Sequence, residues 1–525
     1  MSLIRTDFLD NPGEGTRYIV CKYTTELVDS IFKDLNEFAL KTHLKEKSLC
    51  QLYSLIVCVE GAIKPHTEKI LKNIIYKLIL DEEQEISRRT YKVAELLGLY
   101  VDTDFILPMM IAHLTDTESK SVPRFVSSCL TAFSAVMTNT TVRFASQMEG
   151  FMENIIKLVV SSDFLNSENQ DVLERTFRVT ANLIHAAGHI NKAHQHALFK
   201  ILLQLGSSPQ MAALKSQVDQ TMDVLARSVG LGDGSDLFSV ELTYLIDEMK
   251  ENYEKWNKHS SERFIFDLLV RRSQNALIER FEDILFIIAA NVEPEKEVEL
   301  RMDMLALIEF LLGQEILAET IFFYAEIILK MILIPSTVWK VGSPNVKIRK
   351  ASVICMIRMI DNKLVSPEKL NNSFKAILGV LKNCIDDDWA NDLRFTSVIM
   401  IRKLIQYLSP VFTDEDYKEI YPELLKRLDD SQDGIRIATA ETFQVFFRAL
   451  PDPWSSSLYE YTVKNIFIHL DDSNPEIQKA IREVLVAAAR IQRDKFYEIA
   501  EEQVHKFQHP SQVKALIEQV QATYK

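Results

Sequence analysis

Glycine and proline are scarce: 14 and 15 in 525 residues, roughly half the ordinary combined usage of about 12%. Propellers, sandwiches, barrels and glycine-rich phosphate-binding folds need many positive-φ or fixed-φ positions, so all are disfavoured. Long helices joined by short polar loops remain. Concentrated positive charge is also missing. Against 74 acidic residues stand 60 basic ones, a net charge of −14, and the basic residues cluster no further than pairs such as Arg88-Arg89, Arg271-Arg272 and Arg349-Lys350. Neither a nucleic-acid backbone nor an anionic membrane surface is an expected partner, because both require a dense cationic face.

Cysteine is sparse too. Cys21, Cys50, Cys58, Cys129, Cys355 and Cys384 form no CxxC pair and no dense framework, which predicts buried free thiols in a reducing compartment. No long uncharged apolar run occurs: the most apolar stretch, Leu305 to Pro335, is broken by Glu309, Gln314, Glu315, Glu319, Glu326 and Lys330, too many for a bilayer span. The N-terminal stretch carries neither a long apolar core nor a small-residue cleavage site, so a cytoplasmic protein without secretory signal is expected.

What is present is helical periodicity. Apolar residues recur at i, i+3, i+4, i+7 almost throughout, and no stretch alternates with period two, which predicts an all-α protein. Ser343-Pro344, Ser366-Pro367 and Asn474-Pro475 each place a capping side chain before a proline at a helix start, and Thr413 precedes three acids on the positive end of another helix. Three glycines fall within Gly230–Gly234. With no preceding strand and no downstream Lys or Gly in register, this loop reads as a linker rather than a phosphate cradle.

The chain also repeats itself. Ser343/Ile348/Arg349/Ala351, Asp388/Leu393/Arg394/Thr396, Asp430/Ile435/Arg436/Ala438 and Asp472/Ile477/Gln478/Ala480 superimpose. Each set is a polar residue, an aliphatic five later, Arg or Gln six later and a small residue eight later, with steps of 45, 42 and 42 residues. That period fits two antiparallel helices of about 15 residues with two short turns, the unit of a HEAT-type solenoid. Glu295/Arg301, Glu118/Arg124 and Glu82/Arg88 are weaker echoes. The expected architecture is an α-α superhelix of the HEAT/armadillo-like kind, about eleven helix pairs long, whose concave face holds extended or helical client segments. Its expected parts are a tail over 1–15, degenerate repeats over 16–229, a glycine-rich linker over 230–237 and HEAT repeats over 238–525, most regular in 330–500. Arg349, Arg394, Arg436 and Gln478 form a structural ladder in this reading, donating to turn acids of their own or the adjacent repeat.

Each candidate site has a structural alternative. His185, His189, His194 and His196 lie within twelve residues, but no HExxH glutamate accompanies them, so surface or turn histidines are expected and no metal or other cofactor is called for. Asp386, Asp387, Asp388, Asp429, Asp430, Asp471 and Asp472 recur at one place in the repeat. They read as turn and capping residues, with a negative ridge that steers a basic partner segment as the sharper alternative. No GxSxG, P-loop, kinase signature or nucleophilic cysteine context is found, so no enzymatic activity is expected. Trp256, Trp339, Trp389 and Trp454 are expected to fill gaps between repeats, Trp389 and Trp454 being the two placed in turns where they would anchor a partner.

The run Glu419 to Asp430 followed by Gly434 to Ala438 resembles the C-terminal HEAT repeats of the fifth, HEAT-repeat-containing family of dynein axonemal assembly factors. Val365 to Leu370, His469 to Gln478 with Glu483 to Leu485, and the tail from Val504 to Lys506 and Gln519 to Ala522 resemble the same family in order. The likeness is strong over 330–525 and faint before it, as if the chain began partway through a longer array. The resemblance implies a non-enzymatic cytoplasmic scaffold that preassembles outer and inner dynein arms for motile cilia or flagella. It also implies contacts with dynein intermediate or heavy chains or with co-chaperones. It supplies no catalytic residue, and Gln478 departs from the arginine pattern as a capping repeat would. An importin-β-like transport adaptor and a regulatory scaffold of a phosphatase or kinase complex are the alternatives.

Overall fold

A computed structural model describes residues 12–37, 41–116, 122–160, 162–451, 454–506 and 510–524. Among the described residues there is no β-strand, and the all-α, HEAT-type architecture expected from periodicity is what the chain adopts. The helices gather into two compact units, one made of residues 1–241 with 264–272 and the other of 242–263 with 273–525.

Helices of nine or more residues carry the first unit: α1 Glu14–Lys22, α2 Thr24–Glu37, α3 Thr42–Val59, α4 Gln84–Tyr100, α5 Thr103–Thr115, α6 Pro123–Val160, α7 Gln170–Ala187, α8 Gln195–Ser207 and α9 Lys215–Ser228. The next two, α10 Gly234–Lys250 and α11 Glu262–Arg272, contribute to both units. α3, α4, α6, α7 and α9 pack in succession. The α4–α6 crossing is close: a Cβ on Gly98 would overlap the Val136 carbonyl oxygen, so only glycine lets the two backbones meet. Gly230 turns the chain at φ 91°, and by Leu237 and Phe238 it is already buried in α10.

The second unit continues with α12 Leu277–Asn291, α13 Val298–Leu311, α14 Ala318–Ile327, α15 Ser343–Asp361, α16 Pro367–Ile385, α17 Asn391–Leu408, α18 Asp414–Leu428, α19 Asp433–Ala449, α20 Ser456–Ile468, α21 Pro475–Ala489, α22 Arg493–Val504 and α23 Pro510–Thr523. α13, α15, α17, α19 and α21 lie side by side as one layer, and α16, α18, α20 and α22 form the other. No single pair can bury its apolar face, and stacking completes each core with residues of the next pair. Ile348, Leu393, Ile435 and Ile477, the aliphatics of the repeat, are all buried.

Caps set the helix starts. Ser366 accepts from Lys369 N at 3.2 Å and Asn474 from Glu476 N at 2.9 Å, each before a proline at N1. Thr413 and Asp416 close a capping box. Ser343 does not act as the expected cap. α15 begins at Ser343 itself, after Gly342 at φ 109°, because the positive φ that turns the chain there suits glycine and displaces the start by one residue.

Candidate functional site

The arginines of the repeat stand at the starts of α15, α17 and α19, and the acids they meet lie in the turn of the following repeat. Arg349 Nη2 donates to Asp387 Oδ2 at 2.7 Å. Arg394 forks onto Asp430 through Nε at 2.8 Å and Nη2 at 2.9 Å, and its Nη1 donates to the carbonyl of Asp387 at 2.8 Å. Arg436 Nη1 reaches Asp472 Oδ2 at 2.5 Å and also pairs with Asp433 beside it. Gln478 keeps the place without the charge, donating from Nε2 to the carbonyl of Asp472 at 2.5 Å. Burial works to raise the Asp430 carboxyl. Hydrogen bonds from Arg394 and Gln432 N, with the charges of Arg394 and Arg427, outweigh it and hold the group below its ordinary value.

Three of the seven turn acids are therefore turned inward: Asp387, Asp430 and Asp472 have side chains 7%, 1% and 9% exposed and face arginines. Asp386, Asp388 and Asp429 are exposed. Asp386 lies 3.3 Å from Arg427 and 3.6 Å from Lys426, and Asp429 lies 3.9 Å from His469. Asp471 is half-buried. An unbroken row of seven solvent carboxylates does not form, because the second acid of each turn pairs with the arginine of the preceding repeat.

Arg301, an echo in the sequence, is buried at the same place in α13. Its Nε donates to Val292 O at 2.9 Å and its Nη1 to Asn345 Oδ1 at 3.4 Å, so a carbonyl and an amide replace the acid. The Glu82/Arg88 echo falls one residue off: Arg88 is exposed, whereas Arg89 is buried against Glu46 and Glu85. Glu118 lies outside the described residues. Sequence reading missed Arg402, which reaches Ala438 O at 2.8 Å and Glu441 at 2.8 Å, and Arg490, which ties off the carbonyls of Phe447 and Leu450 at 2.9 and 3.1 Å. Arg402 sits later in α17 than the ladder position and Arg490 just past the end of α21, and a register search at one position passes over both.

The tryptophans divide. Trp256 is buried and donates to Asn252 Oδ1 at 3.0 Å. Trp454, read as a turn anchor, is 2% exposed and packs edge-on against Tyr421 and Phe446, so it is core. Trp339 and Trp389 are 55% and 95% exposed and fill no gap. The thiols divide as well. Cys129, Cys355 and Cys384 are buried, Cys50 and Cys58 half-buried and Cys21 exposed, so burial does not extend to all six. Burial pushes the Cys355 thiol up to about 12 and that of Cys384 up to about 11, which makes both poor nucleophiles.

His185 and His189 are exposed, and among the described residues no group of three or more His, Cys, Asp or Glu is placed to hold a metal ion. His196 instead contacts Glu241, Nδ1 to Oε2 at 2.7 Å, and Gln195 donates to the other carboxylate oxygen at 2.6 Å. His185 lines an open polar cleft of about 580 Å³ with Tyr91, Arg178, Asn182, Gln217 and Arg227. The Thr221 hydroxyl of the same cleft donates to the carbonyl of Gln217 at 2.9 Å, and that of Ser134 accepts from Asn182 at 2.8 Å. No helix among the described residues is long and apolar enough to cross a membrane. The arrangement can hold protein surfaces apart and in register.

A sequence profile described as "Dynein axonemal assembly factor 5, HEAT-repeat domain" matches residues 6–208. Proteins of that name match almost the whole chain: from Xenopus laevis at 22% identity over 524 residues, and from Homo sapiens at 24% over 521, covering 98% and 97% of this chain. The chain resembles dynein axonemal assembly factor 5. It spans about 60% of the length of these assembly factors. The likeness is not confined to 330–525: the profile falls on the N-terminal residues. Among solved structures, crystal structures of the karyopherin Kap121p, alone and bound to the SUMO protease Ulp1p, superimpose with TM-scores of 0.38 and 0.37 at 13% and 14% identity. They cover 99% of this chain and 61% and 60% of theirs. At that level of superposition the likeness says nothing of cargo or function.

Proposed function

We propose that the chain is a non-enzymatic scaffold of axonemal dynein-arm preassembly, acting in the cytoplasm of ciliated or flagellated cells on both outer and inner arms. The observation that supports this reading most is the alignment with dynein axonemal assembly factors of frog and human over nearly all 525 residues. The architecture agrees with it. Stacked helix pairs braced by buried arginines offer long, rigid surfaces. Dynein intermediate or heavy chains, with the co-chaperones that handle them, are the partners of this reading, and Arg349, Arg394, Arg436 and Gln478 serve it as braces that hold the stacking angle.

Depletion of the protein from multiciliated cells tests it. Axonemal cross-sections are expected to lose outer and inner arms while dynein intermediate chains remain in the cell body. Axonemes that keep both rows of arms would overturn the reading.

A further inference from the structure

Two helices of the second unit, α12 and α14, lie side by side and run parallel. Phe281 and Tyr324 meet at a centroid distance of 5.8 Å, and the short 3-10 turns Gln274–Ala276 and Glu315–Leu317 that precede the two helices also touch. Their inner faces are core: Phe281, Ile284, Ile321 and Ala325 are buried. Their outer faces carry more than the polar residues that the free side of a surface helix ordinarily shows. Ile278 and Phe286 on α12, and Ile316, Phe322, Phe323 and Met331 along 316–331, are all exposed. Apolar residues exposed singly are ordinary, whereas six on two adjoining helices mark an interaction face.

The most exposed of the six is held in place. Phe323, 71% exposed, packs edge-on against Tyr324 at 4.9 Å, and Tyr324 is the ring that leans on Phe281. Lys369 Nζ donates to the carbonyls of Phe322 and Phe323 at 3.1 and 3.2 Å, which fixes the backbone beneath both rings. Anchors fixed before a partner arrives lower the ordering cost of binding.

The face is acidic after every cation has been counted. α12 has Glu279, Glu282 and Asp283 against Arg280, and residues 315–331 have Glu315, Glu319 and Glu326 against Lys330. Both bases are already shared with acids, Arg280 with Asp247 and Asp283 and Lys330 with Glu326 at 3.6 Å. Glu279, Glu282, Glu315 and Glu319 are exposed and have no ion-pair partner among the described residues. The flanking helices do not reverse the sign: with residues 242–250 of α10 and the whole of α16 included, nine acids face six bases. A surplus of this sign repels nucleic acid and anionic lipid, and it repels the same face of a second copy, so the occupant it selects is cationic.

The side chains of two parallel helices leave a groove that a third helix can enter. We infer that the outer face of α12 and α14 docks a basic amphipathic helix of a partner protein, its apolar side chains seated on Phe286, Phe322 and Phe323 and its Lys or Arg residues beside Glu279, Glu282, Glu315 and Glu319. α12 has 15 residues, so a partner helix of equal length, about 22 Å, covers it. The inference names a surface that the dynein reading does not, and it stands without that reading.

The test is fluorescence anisotropy on the whole chain with labelled helical peptides as long as α12: one with Leu and Phe on one face flanked by Lys, one with Glu for Lys, and one with Ser for Leu and Phe. The Lys peptide alone is expected to bind, more weakly as salt rises. Phe323→Ala is expected to weaken it at least tenfold, and the change E279Q/E282Q/E315Q/E319Q to weaken it and flatten its salt dependence, both with unchanged thermal melting. The control E498Q/E501Q on α22 is expected to leave affinity as it is. Equal binding of the Glu or Ser peptide, unchanged affinity in F323A, or as large a loss in the control would overturn the proposal. So would a dimer in sedimentation that F323A dissociates while the Lys peptide fails to bind, since the face would then seat a second copy of this chain.

Discussion

At the scale of single residues, two arginines of the same motif do different amounts of work. Arg394 and Asp430 are almost fully buried and joined by two hydrogen bonds, so Arg394→Ala removes the main partner of a buried carboxylate and leaves it only Gln432 N at 3.0 Å and Arg427 at 3.3 Å. Removing one partner of a buried pair costs about 3–5 kcal/mol. Arg436 is one-fifth exposed and shares its charge between Asp433 and Asp472, and Arg436→Ala is expected to cost only ~1 kcal/mol after solvent screening. Urea denaturation of both variants measures the order, and a larger loss in R436A would contradict it. Asp430 also gives a pH signature. Its carboxyl sits lower in the folded than in the unfolded chain, so its contribution to stability is full above the unfolded value near 4 and is lost as pH falls through the folded one. In Asp430→Asn that part of the acid-side slope is expected to vanish. Thiol labelling reports burial directly. Cys21 is expected to react with a thiol reagent in the native chain, and Cys129, Cys355 and Cys384 only after denaturation.

At the scale of elements, Gly98 and the caps decide how helices start and cross. Gly98→Ala forces α4 away from Val136, and overpacking of this kind costs about 1–3 kcal/mol. Melting is expected to fall, and an unchanged midpoint would mean that the crossing can open enough to admit a methyl group at residue 98. The periodicity that predicts helices was legible throughout, as were the caps at Ser366, Asn474 and Thr413, because both are local properties of a few consecutive residues. The start of α15 was not, because Ser343 and Gly342 compete for one boundary and a backbone dihedral decides between them.

At the scale of the whole molecule, the ladder couples each repeat to the next. Arg349 binds the side chain of Asp387 and Arg394 binds its carbonyl, so R349A and R394A are expected to be non-additive. R349A and R436A share no partner and should add within about 0.5 kcal/mol. A double-mutant cycle in urea separates the two cases.

The sequence by itself determined the all-α class, the 42–45-residue period and the positions of Arg349, Arg394, Arg436 and Gln478, because these are written in residue type and spacing along the chain. Only the tertiary structure decided that Asp387, Asp430 and Asp472 turn inward while Asp388 faces water, and that Trp454 is core while Trp389 is bare. Each of those outcomes depends on what the neighbouring repeat, some forty residues away in the chain, places against the side chain. Two aspartates in one turn, or two tryptophans before similar helices, have the same local sequence character and different surroundings.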